Sequence, residues 1–257
     1  MRANLLADPG PHDHFVQLYD EPLTLARALA DYVGTGLARG EAAMVIATPA
    51  HRSEFLRRIE GAQRAIEEGR LNVLDVEQTL GRFMANGMPQ WTPFHEVVGG
   101  LIAELRLRYP AVRAYGEMVD VLWQRGERDA ALRLEQYWNE LAQLQTFSLF
   151  CAYKMDPLDK AAYGGPLESV CNAHTHMRPT ADAAALDCAV ESATRKVLDE
   201  PLADILLSLA GRHRPGTQMP AGQATLFWLH HNMPRTAEKV LSEMRVEKQR
   251  AAASQAT

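Results

Sequence analysis

Between residues 14 and 153, short apolar runs alternate with longer stretches whose apolar positions recur every three or four residues. HFVQLY (14–19) is aromatic and β-branched, is bounded by turn residues, and reads as a strand. Leu25, Leu29, Tyr32, Val33 and Leu37 follow at helical spacing and define one buried face, with Gly40 as the stop. AAMVIAT (42–48) is an almost unbroken apolar run, the pattern of a strand covered on both faces in a parallel sheet. Thr48 and Pro49 then supply a cap and a first-turn proline for a helix through Ile59, ended by Gly61.

The alternation continues. LNVLDV (71–76) is a third strand, and EQTLGRFMANG a short helix closed by Gly87. Thr92 and Pro93 open a helix carrying Phe94, Val97, Val98, Leu101, Ile102 and Leu105 on one stripe, and Pro110 stops it. VRAYGEM (112–118) is a fourth strand, followed by helices near 119–125 and 127–144, the second turning Leu134, Trp138 and Leu141 inward. FSLFCAY (147–153) is the fifth strand. Five strands separated by helices predict an α/β fold with a doubly wound, mainly parallel sheet.

After Pro166 only helical patterns remain, with GRHRPGTQMPAG (211–222) as the best linker. The organisation expected is a lead-in over 1–11, an α/β domain over 12–180 and a helical C-terminal extension over 181–257. The helix GQATLFWLHHN sets Leu226, Phe227, Trp228 and Leu229 in a row, and an all-round apolar helix must be covered. Dimerisation or docking is the preferred cover, with a homodimer expected from it, and packing onto the α/β domain is the alternative.

Composition narrows the class. The chain has 257 residues, 47% hydrophobic and 23% charged, ordinary for a soluble globular protein. No apolar run approaches the roughly 18 residues of a membrane span, and the N-terminus lacks the charged, apolar and small-residue regions of a signal peptide. Three widely spaced cysteines without a CxxC pair fit a reducing cytoplasm and give no structural zinc signature. The net charge of −5 argues against a globally nucleic-acid-binding surface.

The first strand–turn–helix–strand unit resembles that of RecA/KaiC-type ATPases, in which a GxxxxGKT loop occupies the position of YDEPLT (19–24). Of that motif only Thr24 is kept. Neither the lysine that reaches β/γ-phosphates nor the glycines that admit backbone N–H groups are present. One family has this arrangement with the loop lost. HFVQLYDEPLTLARALADYVGTGLARGEAAMVIATPAHR, VRAYGEM, LRLEQYWNEL and SLFCAY followed by VCNAHTH are together similar to the MEDS sensory domain of bacterial and archaeal signalling proteins. The resemblance spans roughly 12–180. It implies sensing of small, hydrocarbon-like molecules coupled to transcription or phosphorelay. About a dozen residues precede it, so a DNA-binding region ahead of the sensor is not expected.

Ligands of open parallel sheets bind beyond the carboxyl ends of the strands. Those ends are expected to gather Tyr19 and Asp20, His51 and Arg52, Glu117, and Cys151 with Tyr153 as the ligand-binding rim. Glu117 stands where such an ATPase would carry its magnesium-coordinating aspartate. It reads equally as a pocket acceptor, a cap on the next helix or an arginine partner. His51 and Arg52 open a helix and could hold an anion, whereas Asp20 and Glu21 suit a helix start and repel phosphates. His174 and His176, two apart, diverge on a helix and are expected at the surface unless the segment is extended. Cys151 is expected to be an inert core thiol, and Glu135 to face solvent.

The function expected is a non-catalytic cytoplasmic sensor, a pseudo-ATPase domain binding a small ligand or a signalling partner such as a kinase, response regulator or sigma-factor pathway protein. No cofactor and no metal are expected. Two alternatives stand. One is an enzyme using Glu117 and His51 as acid and base, which requires both in one cleft within hydrogen-bond reach. The other is a transcription regulator acting through the C-terminal helices, disfavoured because Glu238, Glu243 and Glu247 interleave with Arg235, Lys239, Arg245, Lys248 and Arg250.

Overall fold

The computed structural model describes residues 6–163, 167–178, 183–212 and 219–255. In chain order its strands are β1 (His14–Tyr19), β2 (Ala42–Ala47), β3 (Leu71–Asp75), β4 (Met84–Ala85), β5 (Met88–Pro89), β6 (Val112–Gly116), β7 (Ser148–Lys154) and β8 (His176–Arg178). The main sheet runs β3-β2-β6-β7-β1-β8, and its first five strands pair in parallel. Every residue of β1, β2 and β6 is buried, which explains why these strands read as continuous rather than alternating.

The helices are α1 (Pro22–Ala38), α2 (Pro49–Arg58), α3 (Ala62–Glu67), α4 (Val76–Gly81), α5 (Trp91–Phe94), α6 (Gly100–Arg108), α7 (Met118–Gln124), α8 (Arg128–Leu144), α9 (Leu167–Ala173), α10 (Ala183–Val197), α11 (Glu200–Arg212), α12 (Ala221–Asn232) and α13 (Pro234–Gln255). A π-helical turn, His95–Gly99, joins α5 to α6. On one face of the sheet α1, α2 and α3 bury Leu25, Leu29, Tyr32, Val33, Phe55 and Ala62 against Phe15, Val45, Tyr115 and Phe150. On the other, Trp138 of α8 is fully buried and lies against Gly116, where a Cβ would meet its ring at 3.5 Å.

Four local expectations are corrected. EQTLGRFMANG is not one helix. Helix α4 stops at Gly81 and a β4–β5 hairpin follows, its Asn86-Gly87 turn at φ 52° and 75°, the positive values that a tight hairpin turn demands. The helix placed at Thr92 begins at Trp91. Gly61, expected only as a stop, also opens α3 in a left-handed conformation. Asp20 and Glu21 lie outside the first turn of α1, where Glu21 is the N-cap residue without a side-chain capping bond.

The chain divides into two compact units. The first holds the sheet through Lys154 together with Ala173–His176, and the second holds Met155–Asn172 and the helices from Met177 onward. Half of the linker expected over 211–222, residues 213–218, lies outside the described residues. Within the second unit α12 packs against α10, α11 and α13. Leu226, Phe227 and Leu229 are buried there by their own chain, which accounts for the apolar run without a second copy; Trp228 is half-buried.

Candidate functional site

The ladder between β2 and β6 continues one step past the strands, where Glu117 N–H donates to Ile46 O at 3.0 Å. This sets Glu117 beside Thr48 at the carboxyl edge of the sheet. Thr48 caps α2, its Oγ1 facing the His51 N–H at 3.4 Å, and Pro49 fills the first helical position. The cap orients α2 so that His51 turns back over the edge. His51 Nδ1 lies 2.7 Å from Glu117 Oε1, Tyr115 O–H donates to the same oxygen at 3.0 Å, and Thr48 N–H donates to Oε2 at 2.8 Å. Glu117 is 1% exposed, and three donors are what a carboxylate requires at that depth. It neither caps α7 nor meets an arginine, so both structural alternatives for it fall away.

One turn into α7, Asp120 makes a second buried carboxylate. It accepts from Tyr19 O–H at 2.7 Å, from Lys154 N–H at 3.0 Å and from Gln124 Nε2 at 3.0 Å. Tyr19, Pro22, Thr48, His51, Glu117, Asp120, Val121, Gln124, Arg125 and Lys154 line a cleft of about 340 Å³. Arg125 is engaged by Glu77 at its mouth.

The electrostatics are those of an acidic floor. The Glu117 hydrogen bond raises the His51 pKa against the opposing effect of burial. Burial pushes the Asp120 carboxyl up, partly offset by its donors. Burial, then the Asp120 carboxylate, pushes the Tyr19 hydroxyl well above its ordinary value.

Of the expected rim, Tyr19, His51 and Glu117 come together. Asp20 is exposed and accepts from the adjacent Glu21 N–H at 2.9 Å, and Arg52 is not among the residues lining the cleft. Cys151 and Tyr153 do not reach the rim, because β7 extends to Lys154 and alternation turns both into the opposite layer. There Tyr153 O–H donates to Glu135 Oε1 at 2.7 Å, and Cys151 Sγ lies 3.8 Å from Glu135 Oε2 and 3.3 Å from His14 Nε2. Glu135, expected in solvent, is 1% exposed. His174, expected at a helix surface, follows α9 in extended chain with its side chain fully buried 3.4 Å from Glu135 Oε1. His176 bonds Asp13 at 3.2 Å and stacks on Phe15.

Sequence reasoning missed Asp120, although it lies three residues after Glu117 and so on the same side of the helix start. It also missed Glu135, an acid embedded in the inward stripe of Leu134, Trp138 and Leu141.

The structure is therefore a doubly wound α/β domain with a cleft across the carboxyl ends of its strands, joined to a unit of helices. Residues 13–175 match the family described as methanogen/methylotroph, DcmR sensory domain (MEDS), and the chain belongs to that family. Its role is sensory, in signal transduction. No curated protein matches the chain. No helix among the described residues is long and apolar enough to cross a membrane.

Proposed function

We propose that the cleft at the carboxyl edge is the sensory pocket. It would take a small molecule rich in hydrogen-bond donors, an alcohol or an amine, and pass its occupancy to a signalling protein without turning it over. The observation that carries this reading is the pair of buried carboxylates, Glu117 and Asp120, in the wall of the cleft. Each has one oxygen with a single donor, Glu117 Oε2 from Thr48 and Asp120 Oδ2 from Tyr19, leaving acceptor capacity for a ligand. The same charges repel phosphates, and the Tyr19-to-Thr24 turn has no lysine or glycine to offset that repulsion.

Calorimetric titration with ATP, ADP and GTP plus magnesium, against small alcohols and amines, tests the proposal. Binding confined to the second group, and lost in Glu117→Gln, supports it. Micromolar nucleotide binding would overturn it.

A second reading, an acid–base enzyme, draws on one observation. His51 and Glu117 do share a cleft at 2.7 Å, the geometry a general base and its orienting carboxylate require. Recovery of a bound alcohol or amine chemically unchanged after prolonged incubation separates sensor from enzyme. Nucleic-acid binding through α13 has less support. Glu243 and Glu247 pair with Lys196 of α10, and Arg245 donates to Leu158 O, so these charges serve packing within the helical unit.

A further inference from the structure

Beneath the opposite face of the sheet, away from the sensory cleft, four side chains capable of ligating a metal converge from distant parts of the chain. They are His14 at the start of β1, Glu135 in α8, Cys151 in β7 and His174 after α9, and one ligand atom of each lies within 4.8 Å of all the others. All four are buried and belong to the same compact unit. We propose that they form a closed four-ligand site for one divalent ion of the zinc class.

The spacing fits. Zinc bonds of about 2.0–2.3 Å give tetrahedral ligand–ligand edges of about 3.3–3.8 Å. Three ligand atoms already stand at such separations, His14 Nε2 to Cys151 Sγ at 3.3 Å, His14 Nε2 to Glu135 Oε2 at 3.5 Å and Cys151 Sγ to Glu135 Oε2 at 3.8 Å, and His174 Nε2 lies 3.4 Å from the other carboxylate oxygen, Oε1. Two imidazoles, a thiolate and a carboxylate form a borderline-soft set suited to zinc rather than to magnesium or calcium.

Proton placement points the same way. Asn139 Nδ2 donates to Ala173 O at 3.0 Å, which turns Asn139 Oδ1 toward His14 Nδ1 at 2.9 Å. His14 Nδ1 therefore carries the hydrogen, and the Nε2 lone pair faces the cluster. This is the outer hydrogen bond that normally orients a metal-binding histidine. Tyr153 O–H serves Glu135 Oε1, whereas Nε2 and Glu135 Oε2 face each other as two acceptors at 3.5 Å, with the Cys151 thiol hydrogen to share. A cation satisfies both.

Burial, and then His174 beside it, hold His14 down at about 3, so it is neutral and able to ligate at physiological pH. Burial opposes ionisation of Glu135, but His174 beside it and the Tyr153 hydrogen bond hold the carboxyl below its ordinary value. Burial and the Glu135 charge keep the Cys151 thiol protonated. Metal binding would release that one proton to solvent and form the metal–sulfur bond. The 2+ ion would then be balanced by one thiolate and one carboxylate, leaving a neutral buried centre. With four protein ligands the site has no open position, so its role would be structural, fastening residues 173–176 to the sheet.

The test uses the full chain, stripped with a chelator and titrated with Co²⁺ under reducing conditions. The expected result is one Co²⁺ per chain, a thiolate-to-cobalt charge-transfer band, tetrahedral ligand-field bands and displacement by Zn²⁺. Cys151→Ser should lose the charge-transfer band, His174→Gln should weaken binding by about tenfold or more, and Cys188→Ser, at an exposed thiol, should behave as wild type. Failure of the folded wild-type chain to bind a stoichiometric ion, or a thiolate band persisting in Cys151→Ser, would overturn the proposal. Should Cys151→Ser not fold, wild type and His174→Gln decide it, the former gaining thermal stability with Zn²⁺ and the latter not. Equal gains in both would refute the site.

Discussion

The Nδ1 atom of His51 stands 2.7 Å from Oε1 of Glu117, tying a partly exposed imidazole on α2 to a buried carboxylate at the end of β6. The bond raises the histidine's pKa in the folded state. A raised folded value means that the stabilisation is fully present below the unfolded value of about 6.5 and is lost as pH rises through the folded one. His51→Gln should therefore be most destabilised relative to wild type near pH 6, with the gap closing toward pH 9. Urea midpoints across that range check this, and a gap that widens with pH would contradict the assignment.

Asp120 behaves in the same sense although it is an acid. Burial raises its folded pKa, so its neutral form is the one the fold favours. That contribution is present below the unfolded value of about 3.9 and is lost as pH climbs through the folded value. Asp120→Asn escapes the loss and can still accept from Lys154 N–H and Gln124. The stability of the variant relative to wild type should move in the variant's favour between pH 4 and pH 7. Denaturation at the two pH values measures the difference, and movement in the opposite direction would refute it.

The contrast between Glu117 and Glu135 shows which parts of the site were legible in the chain. Glu117 directly follows an apolar strand, so the sheet rule alone places it on the edge. The five main strands were legible for a related reason, since each is an apolar run bracketed by turn residues, even β3 at the sheet edge, where only Leu71 is fully buried. Glu135 sits in a helix whose periodicity fixes its angle only coarsely, and its burial depends on His14 and His174, far away in sequence. The β4–β5 hairpin was hidden differently. Asn86-Gly87 is a strong turn signal, but the helical run before it absorbed the segment, and two-residue strands have no periodicity to set against a helix. The helical pattern after Pro166 holds through α9 but ends at Ala173, short of His174 and His176, because β8 is short and its pairing is tertiary.

Two glycines of α1 make a controlled pair. A Cβ on Gly36 would lie 2.5 Å from Arg113 Nε and 2.7 Å from its Cδ. Arg113 has nowhere to go: it is buried, paired with Glu41 at 2.5 Å, and donates to Leu6 O, Tyr32 O and Thr35 Oγ1. Gly36→Ala should cost about 1–3 kcal/mol by overpacking. Gly34 has nothing within 4 Å, so Gly34→Ala should gain roughly 0.5–1 kcal/mol from helix propensity. Chemical denaturation of both variants checks the signs, and like signs would show that the Arg113 clamp is looser than its bonds suggest.

In the helical unit the corresponding contact is between backbones. Gly222, near the start of α12, donates its N–H to Asp187 Oδ1 of α10 at 2.5 Å. A Cβ there would lie 2.8 Å from that oxygen, 3.0 Å from Asp187 Cα and 3.2 Å from Asp187 N. The carboxylate could rotate away, but the main chain of α10 could not, so the two helices would have to part. Because Leu226 and Leu229 of α12 are buried in the same packing, parting the helices loosens them too. Gly222→Ala should cost about 1–3 kcal/mol and speed amide exchange in α10 and α12. The cost should persist in an Asp187→Ala background, which removes the carboxylate and leaves the Cα in place. Near-complete relief in the double variant would mean that the side chain, not the backbone, sets the approach of the two helices.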